Sequence, residues 1–280
     1  GVARQYPQVP GIDLAGTVAA SADPRFVPGQ AVLVTGYGLG VSGPGGWASC
    51  TQVPGDWVMP RPPGLGARAA MLFGTPGLTA AAAQQTLAQC GLPSGAEVLI
   101  SGATGAVGSM AVSLFAASGY RVCAVTGHLQ AAERLRALGA ADVWPREQLL
   151  APGTGLGHAR FDAAFDTVGG PILAAILSQM RYAGVVAACG QIAGSSLNTT
   201  VYPFILRAVR LLGIDSVYLP KEQRTTLWAA WAAAGVPEAL ERCVEEVPLE
   251  ALAQALAHRR TTVAPQRLLI RLESAERPQP

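Results

Sequence analysis

The sequence predicts an α/β protein in which a doubly wound parallel sheet interrupts a smaller β-rich region. Three observations carry this reading. From Thr79 onward, short apolar runs alternate with amphipathic or alanine-rich segments. Before about Thr75 the chain has a different texture, rich in Gly, Pro and Val, with short runs broken by Pro-Gly and Gly-Gly turns. A last apolar run, QRLLIRLE, lies beyond the alternation and is positioned to return to the first region. Short buried runs joined by helices require parallel strands with right-handed crossovers.

Each element follows in order. DLAGTVAA, QAVLVTG and ASCTQVP read as strands between turn residues. TAAAAQQTLAQCG is an alanine-rich helix ending at Gly91. EVLIS (97–101) is a buried strand and 106–118 the helix after it. RVCAVT (121–126) is the second strand, QAAERLRALG a helix with Gly139 past its end, and ADVW the third strand. FDAAFDT is the fourth strand, and the helix 171–180 has proline in its first turn. GVVAAC is the fifth strand. PFILRAVRL reads as a helix running into a sixth strand, LLGIDS. Helices near 221–234 and 249–258 precede the final strand. The expected domains are 1–75, 76–241 and 242–280, the third returning to the first.

Composition narrows the function. The chain has 280 residues, half of them hydrophobic and 14% charged, with a net charge of +2. Interspersed charge argues against a nucleic-acid partner, which needs a concentrated basic face. No apolar run has the length of a bilayer span, the stretch 227–235 being short and preceded by Arg224. No signal peptide is evident, so the expected location is cytoplasmic. The five cysteines lie far apart in no metal-ligand spacing and read as free thiols in a reducing compartment. The chain starts at Gly1 in loop-like sequence, and a preceding N-terminal portion is expected.

The stretch ISGATGAVGS (100–109) carries the chemistry. In a dinucleotide-binding turn, glycines let the backbone turn tightly and approach a pyrophosphate, which the next helix's free N–H groups and dipole hold. The residues here are Gly102, Ala103, Thr104, Gly105, Ala106, Val107 and Gly108, with Ala103 at the first glycine position of the fingerprint. A strand before, a helix after and a second strand about 20 residues on supply the βαβ context. A glycine turn that only packs helix on sheet is the plainer alternative. An NAD site places Asp or Glu at the end of the second strand. Here that end reads Val125-Thr126-Gly127-His128, without a carboxylate, so NADPH is the expected cofactor. Thr126 and the Gly127 amide are donors for a 2′-phosphate. Arg146, after the third strand, either reaches the same corner or is a solvated surface residue.

These residues carry a resemblance. SGATGAVGS, the upstream GTPGLTA, the downstream FDTVGG and AACGQ, and PFILRAVRLLGIDS together resemble the medium-chain dehydrogenase/reductase superfamily. PGIDLAGTV and the PFILR…GIDSV block resemble its acryloyl-CoA reductase type, among the NADPH-dependent, quinone oxidoreductase-like members. The resemblance runs over about 1–272. It implies a Rossmann domain inserted in a GroES-like catalytic domain, and a homodimer joined through the edge strand at 211–217. It implies further that Thr79 approaches the nicotinamide and that Gly105, Ala106, Val107 and Gly108 hold the pyrophosphate. Thr126, Gly127 and His128 would face the adenosine phosphate, Val168 and Gly169 border the ribose, and Cys189, Gly190 and Gln191 lie by the nicotinamide. Phe204 to Arg207 would line the substrate cleft. His128 stands where relatives often have Arg or Lys, and Pro76 where they often have alanine.

Zinc-using relatives place His-Glu where this chain has Gly11-Ile12-Asp13, and isoleucine cannot ligate a metal. The three histidines, His128, His158 and His258, share no spacing, so no metal is expected. The implied chemistry is hydride delivery to an activated double bond of a small-molecule substrate, with the enolate held by hydrogen-bond donors and protonated at the α-carbon. Acryloyl-CoA is the substrate the resemblance favours, and a quinone or enone is the alternative. A non-catalytic cofactor-binding protein is the alternative of another class. No catalytic residue is named; the side chains facing the nicotinamide in relatives would precede Gly1. Arg207 is either a ligand for an acyl-CoA phosphate or carboxylate, or a partner of Asp215. Asp13 is either a base or a turn-fixing residue. Tyr37 and Trp47 either wall the cleft or pack within their loop.

Overall fold

Strand β1 (Asp13–Thr17) pairs antiparallel with β2 (Ala31–Thr35), from Asp13 opposite Thr35 to Thr17 opposite Ala31. The structure, a computed structural model, describes residues 6–150, 155–259 and 267–272. The AVLVT sequence of β2 suits a pleated, half-buried surface, and Val32 and Val34 pack with Phe26, Leu39 and Val58. The third strand of this sheet is β3 (Met59–Pro60), paired with β2. The run ASCTQVP, expected as a strand, is irregular; Pro54 has no N–H for a ladder and instead opens a single 3-10 turn at Gly55–Trp57. Helix α1 (Ala67–Gln89) starts twelve residues before the expected position, and Gly74 breaks it at φ 47°, ψ −155°. Pro76, two residues on, lacks the N–H that a continuous helix would need there.

The six-stranded sheet comes next. Its strands and helices are β4 (Glu97–Ile100), α2 (Ala106–Ala117), β5 (Arg121–Thr126), α3 (Ala132–Ala137), β6 (Asp142–Pro145), α4 (Arg146–Leu149), β7 (Phe161–Asp166), α5 (Gly170–Ser178), β8 (Met180–Ala188), α6 (Tyr202–Arg207) and β9 (Arg210–Gly213). The order is β6-β5-β4-β7-β8-β9 with every pairing parallel. The direction of winding therefore reverses between β4 and β7, the place where such sheets bind ligands. Leu99, Phe161, Ile176, Leu177 and Val186 belong to the buried core between sheet and helices. Helix α6 is shorter than expected because Ala208 takes a left-handed conformation at φ 50° and its N–H caps the Pro203 carbonyl. At the amino ends of the strands, charged residues are laced together. Arg121 meets Glu97 at 3.6 Å and Asp142 at 2.8 Å, while Arg181 meets Glu97 at 3.1 Å and Asp162 at 2.7 Å.

The chain then adds α7 (Lys221–Ala234), α8 (Glu238–Glu241), β10 (Val244–Pro248), α9 (Leu252–Arg259) and β11 (Arg267–Arg271). Strands β10 and β11 form a parallel pair. Packing divides the chain into two units, one of residues up to Leu78 together with those from Ser216 onward, the other Thr79–Asp215. In the first unit, β11 comes back to β1. Arg267 donates to Asp13 Oδ2 at 2.8 Å and to the Met71 carbonyl at 2.7 Å. Asp13 also accepts from the amide and the hydroxyl of Thr75. It thus fixes the break in α1 rather than a turn of its own segment. Phe73 stacks on Trp231 at 4.4 Å, closing the core of this unit. Arg224 is fully buried, its guanidinium bonded to the Thr35, Ser216, Val217 and Leu219 carbonyls and lying 4.6 Å from the centre of the Tyr37 ring. Tyr37 stacks against Trp57 of the 3-10 turn.

Candidate cofactor-binding site

The glycine turn follows β4 at the reversal of strand order. Its three glycines serve different ends, two of them excluding a side chain and one leaving the helix start bare. Gly102 has φ +57°, and a Cβ there would lie 2.4 Å from Thr167 Oγ1. Gly105 is the N-cap of α2 in extended conformation and offers no side-chain cap. Gly108 lies inside the first turn, where a Cβ would meet the Gly102 carbonyl oxygen at 2.3 Å and Ala103 Cα at 2.8 Å. Ala103 is fully buried, and its amide donates to the Val125 carbonyl, which fits a small apolar residue at that position. The first N–H groups of a helix have no intrahelical acceptor. With glycine at the cap, no side chain takes up the first amides of α2, and Ala106 and Val107 stand at the positive end of the helix dipole, a cradle suited to an anion.

The carboxyl end of β5 forms the neighbouring corner. Thr126 is buried, and its hydroxyl lies 3.1 Å from that of Thr104 while accepting from the His128 amide at 3.0 Å. Register places Thr126 opposite Pro145 on β6, so the next residues on the two strands emerge side by side. The Arg146 guanidinium consequently reaches Gly127, where a Cβ would sit 3.3 Å from its NH1. Its Nε holds Glu147 at 3.0 Å, and both side chains are mostly exposed. Thr104, Thr126, Gly127, His128 and Arg146 are thus one cluster.

The loop after β7 closes against the turn from the other side. Val168 and Gly169 lie here, Gly169 at φ 77°. The loop after β8 packs on it backbone to backbone: a Cβ on Gly190 would fall 2.0 Å from the Thr167 carbonyl oxygen, and the Ala193 amide donates to the Val168 carbonyl. Cys189, Gly190 and Gln191, with Ala188, Gly213, Ile214 and Asp215, line an open recess of about 460 Å³. Burial, reinforced by the Asp166 carboxylate, pushes the Cys189 thiol up to about 12, so it is neutral at physiological pH. Thr79 is buried near the start of this unit.

Two of the sequence-derived positions take other surroundings. Phe204 packs against the core of the sheet. Arg207 donates to the carbonyls of Ser178, Met180 and Gly157 at 2.7–3.0 Å, capping the end of α5. Sequence reasoning missed Ser101 and Asp166, both fully buried, which are joined by a 2.6 Å hydrogen bond between the two loops. The signal was an aspartate at a strand end three residues before Gly-Gly, a pattern in which the carboxylate accepts from the amides that follow.

Among the described residues no group of three His, Cys, Asp or Glu side chains is arranged to hold a metal ion, and no helix is long and apolar enough to cross a membrane.

Residues 106–233 match the family model described as zinc-binding dehydrogenase. The probable acrylyl-CoA reductase AcuI of Escherichia coli (strain K12) is 48% identical over 228 residues, covering 81% of this chain and 70% of that protein. The putative quinone oxidoreductase YhfP of Bacillus subtilis (strain 168) is 46% identical over 259 residues, 91% of this chain and 78% of that one. A crystal structure of Bacillus subtilis yhfP, with NAD bound, superposes with a TM-score of 0.89 at 43% identity, covering 96% of this chain and 83% of that one. The yhdH oxidoreductase of Salmonella enterica, solved in complex with NADP, gives a TM-score of 0.91 at 40% identity over 97% of this chain and 84% of its own. With a Rossmann sheet, a glycine turn at its reversal point and relatives this close along most of its length, the chain belongs to the medium-chain dehydrogenase/reductase family of oxidoreductases.

Proposed function

We propose that the protein uses NADPH to reduce an activated carbon–carbon double bond, with acrylyl-CoA as substrate and propanoyl-CoA as product. The observation that carries the reading is the uncapped start of α2 behind a glycine turn at the sheet's reversal point, in a chain 48% identical to a probable acrylyl-CoA reductase. The cradle fits a dinucleotide, because Gly102, Gly105 and Gly108 leave the backbone bare where a pyrophosphate must approach. When bound, the reduced nicotinamide supplies a hydride to the β-carbon of the substrate.

The chain's own residues then have separate tasks. The Ala106 and Val107 amides hold the pyrophosphate. Thr126, the Gly127 amide, His128 and Arg146 face the 2′-phosphate; the absence of a carboxylate at the end of β5 and the nearness of the Arg146 guanidinium favour NADPH over NADH. Val168 and Gly169 border the ribose, while Cys189, Gly190 and Gln191 shape the nicotinamide end, with Thr79 beside it. Cys189, protonated, packs there without adding charge. Backbone donors near Gly190 are placed to support negative charge on a substrate oxygen. Arg207, bonded to three carbonyls, has a structural task.

A quinone or enone reductase is the second reading, favoured by the 46% identity to YhfP. We place the enzyme in the cytoplasm on the strength of its five free cysteines. We also infer a homodimer formed through β9, whose outer edge lies at the end of the sheet. Sedimentation of the native protein and of a β9 proline variant tests that inference. The function is tested by following reduced-nicotinamide absorbance with protein made from its complete coding sequence, offering NADPH or NADH against acrylyl-CoA or a simple quinone. Rapid NADPH oxidation with acrylyl-CoA alone is the expected result. Turnover with quinone alone selects the second reading, and tight NADPH binding without turnover of either leaves a binding protein.

A further inference from the structure

We propose that Asp166 is a positioning residue for the cofactor site, fastening the loop after β7 to the glycine turn so that the cradle is preformed. The inference rests on the cofactor reading of that turn. Asp166 ends β7 and is completely buried, yet nothing in the hydride chemistry uses it. Its Oδ1 accepts from the Ser101 hydroxyl at 2.6 Å and from the Val168 amide at 3.2 Å, and its Oδ2 accepts from the Gly169 amide at 2.8 Å. Ser101 in turn accepts from the Thr167 amide at 2.9 Å, and the Thr167 hydroxyl returns a bond to the Ser101 carbonyl at 2.9 Å. The two loops that flank the reversal of strand order are therefore stitched together at Ser101, with the Asp166 carboxylate joining that junction to the Val168 and Gly169 amides.

Burying a carboxyl group is costly unless it is fully hydrogen-bonded. A fold that needed only stability would be served as well by an apolar residue at this strand end. What an apolar residue cannot do is accept from both sides. Oδ1 and Oδ2 receive donors from different directions, so both oxygens must be acceptors. Asparagine would turn an N–H toward one of those donors. The stitching also extends outward: the Cys189 amide donates to the Asp166 carbonyl and the Ala193 amide to the Val168 carbonyl, so the loop lining the recess is set by the same junction. The Asp166 carboxylate thus sets the loop after β7 and ties it to Ser101 at the head of the glycine turn, and the loop after β8 rests on the backbone carbonyls of the segment so held.

The test is NADPH titration by nicotinamide fluorescence on the complete protein, with thermal unfolding of each variant in parallel. Asp166→Asn is expected to raise the NADPH Kd at least tenfold. Arg181→Ala, which breaks the ion pairs at the opposite ends of the strands, serves as a control for mere destabilisation. It is expected to lower Tm while leaving Kd within twofold of wild type. Ser101→Ala, a milder cut in the same junction, is expected to raise Kd about threefold and carries the test if Asp166→Asn does not fold. Unchanged NADPH affinity in both junction variants overturns the inference, as does an equal loss of affinity in Arg181→Ala. Wild-type protein that binds neither NADPH nor NADH overturns the underlying cofactor reading, a result distinct from wild-type binding that the variants leave intact.

Discussion

Replacing Gly108 by alanine separates a glycine required for packing from one required for binding. The added Cβ would sit 2.3 Å from the Gly102 carbonyl oxygen and 2.8 Å from Ala103 Cα, and both are backbone atoms of the turn itself. No side chain can swing aside, so the start of α2 must move by roughly 1 Å to restore van der Waals contact. Overpacking of this kind costs roughly 1–3 kcal/mol and more where backbone must shift. Against it stands the gain of about 1 kcal/mol from alanine over glycine within a helix. With backbone on both sides of the clash the cost falls at the upper end of that range, so the net is a loss of about 1–2 kcal/mol, or a fall in Tm of about 2–8 °C. Gly105→Ala is the comparison. Its Cβ would meet only the Gly102 carbonyl oxygen, at 3.2 Å, and its φ of −76° is open to alanine. That variant should melt within about 2 °C of wild type but bind NADPH more weakly, because the methyl group fills the approach to the amides. Thermal melts followed by circular dichroism, with NADPH titrations beside them, read both effects. A Gly108→Ala protein that melts with the wild type refutes the packing argument.

Four further outcomes are expected. Arg146→Ala should weaken NADPH binding by roughly 5–20-fold and leave NADH within twofold, since a charge-assisted bond of about 1.5–3 kcal/mol is reduced by exposure; equal losses for both nucleotides would remove Arg146 from the phosphate corner. Arg267→Ala strips Asp13 of its ion-pair partner where the two side chains are only 14% and 10% exposed, and should cost about 2–4 kcal/mol in denaturant unfolding; an unaltered midpoint would show that Thr75 alone suffices. Cys123 and Cys189, whose thiols burial holds near 12 against an ordinary 9.0, should react with iodoacetamide at pH 8 about a thousandfold more slowly than exposed thiols, with mass spectrometry placing the first label on exposed Cys50. The same two thiols bind their protons more tightly in the fold than in the unfolded chain, so their stabilising contribution is complete below pH 9.0 and is lost as pH climbs toward 12; urea midpoints that hold steady over that interval would contradict the burial described.

Local pattern made most of the sheet legible. Each strand from β4 to β9 is a short apolar run, Gly91 marks the end of the helix before them, and Gly139 and the turns that follow mark stops of the helices between, whereas the stop at Ala208 was not legible. The glycine turn could be read because its chemistry is local. The failures share a cause: they depend on partners far along the chain. Strand β3 is two residues long and exists only because β2 needs a neighbour. Strand β10 has glutamate at two of its five positions and proline at its end, and is a strand because β11 lies beside it. The first half of α1 was hidden because Gly74 and Pro76 read as a break before a helix rather than one within it. Arg207 stood open between a substrate ligand and a partner of Asp215, because nothing nearby in sequence shows that it would find carbonyls at positions 157, 178 and 180. Asp166 and Ser101 lie 65 residues apart, and their bond emerges only when β4 and β7 become neighbours. Arg224 marked no more than the edge of an apolar stretch, although it binds a carbonyl 189 residues away on β2.

The bond between Asp13 and Arg267 spans 254 residues, and it has a consequence for how the protein is made. A ribosome delivers β1 and β2 early, but the arginine that locks β1 against the break in α1 emerges 254 residues after Asp13. The unit from Thr79 to Asp215 is contiguous and can condense while the rest of the chain is still being synthesised. The other unit must wait with half its core in hand, its early strands held open for a partner that arrives last. A nascent chain arrested before residue 267 should therefore carry a protease-resistant nucleotide-binding unit and a protease-sensitive leading segment, and releasing the final strand should protect both.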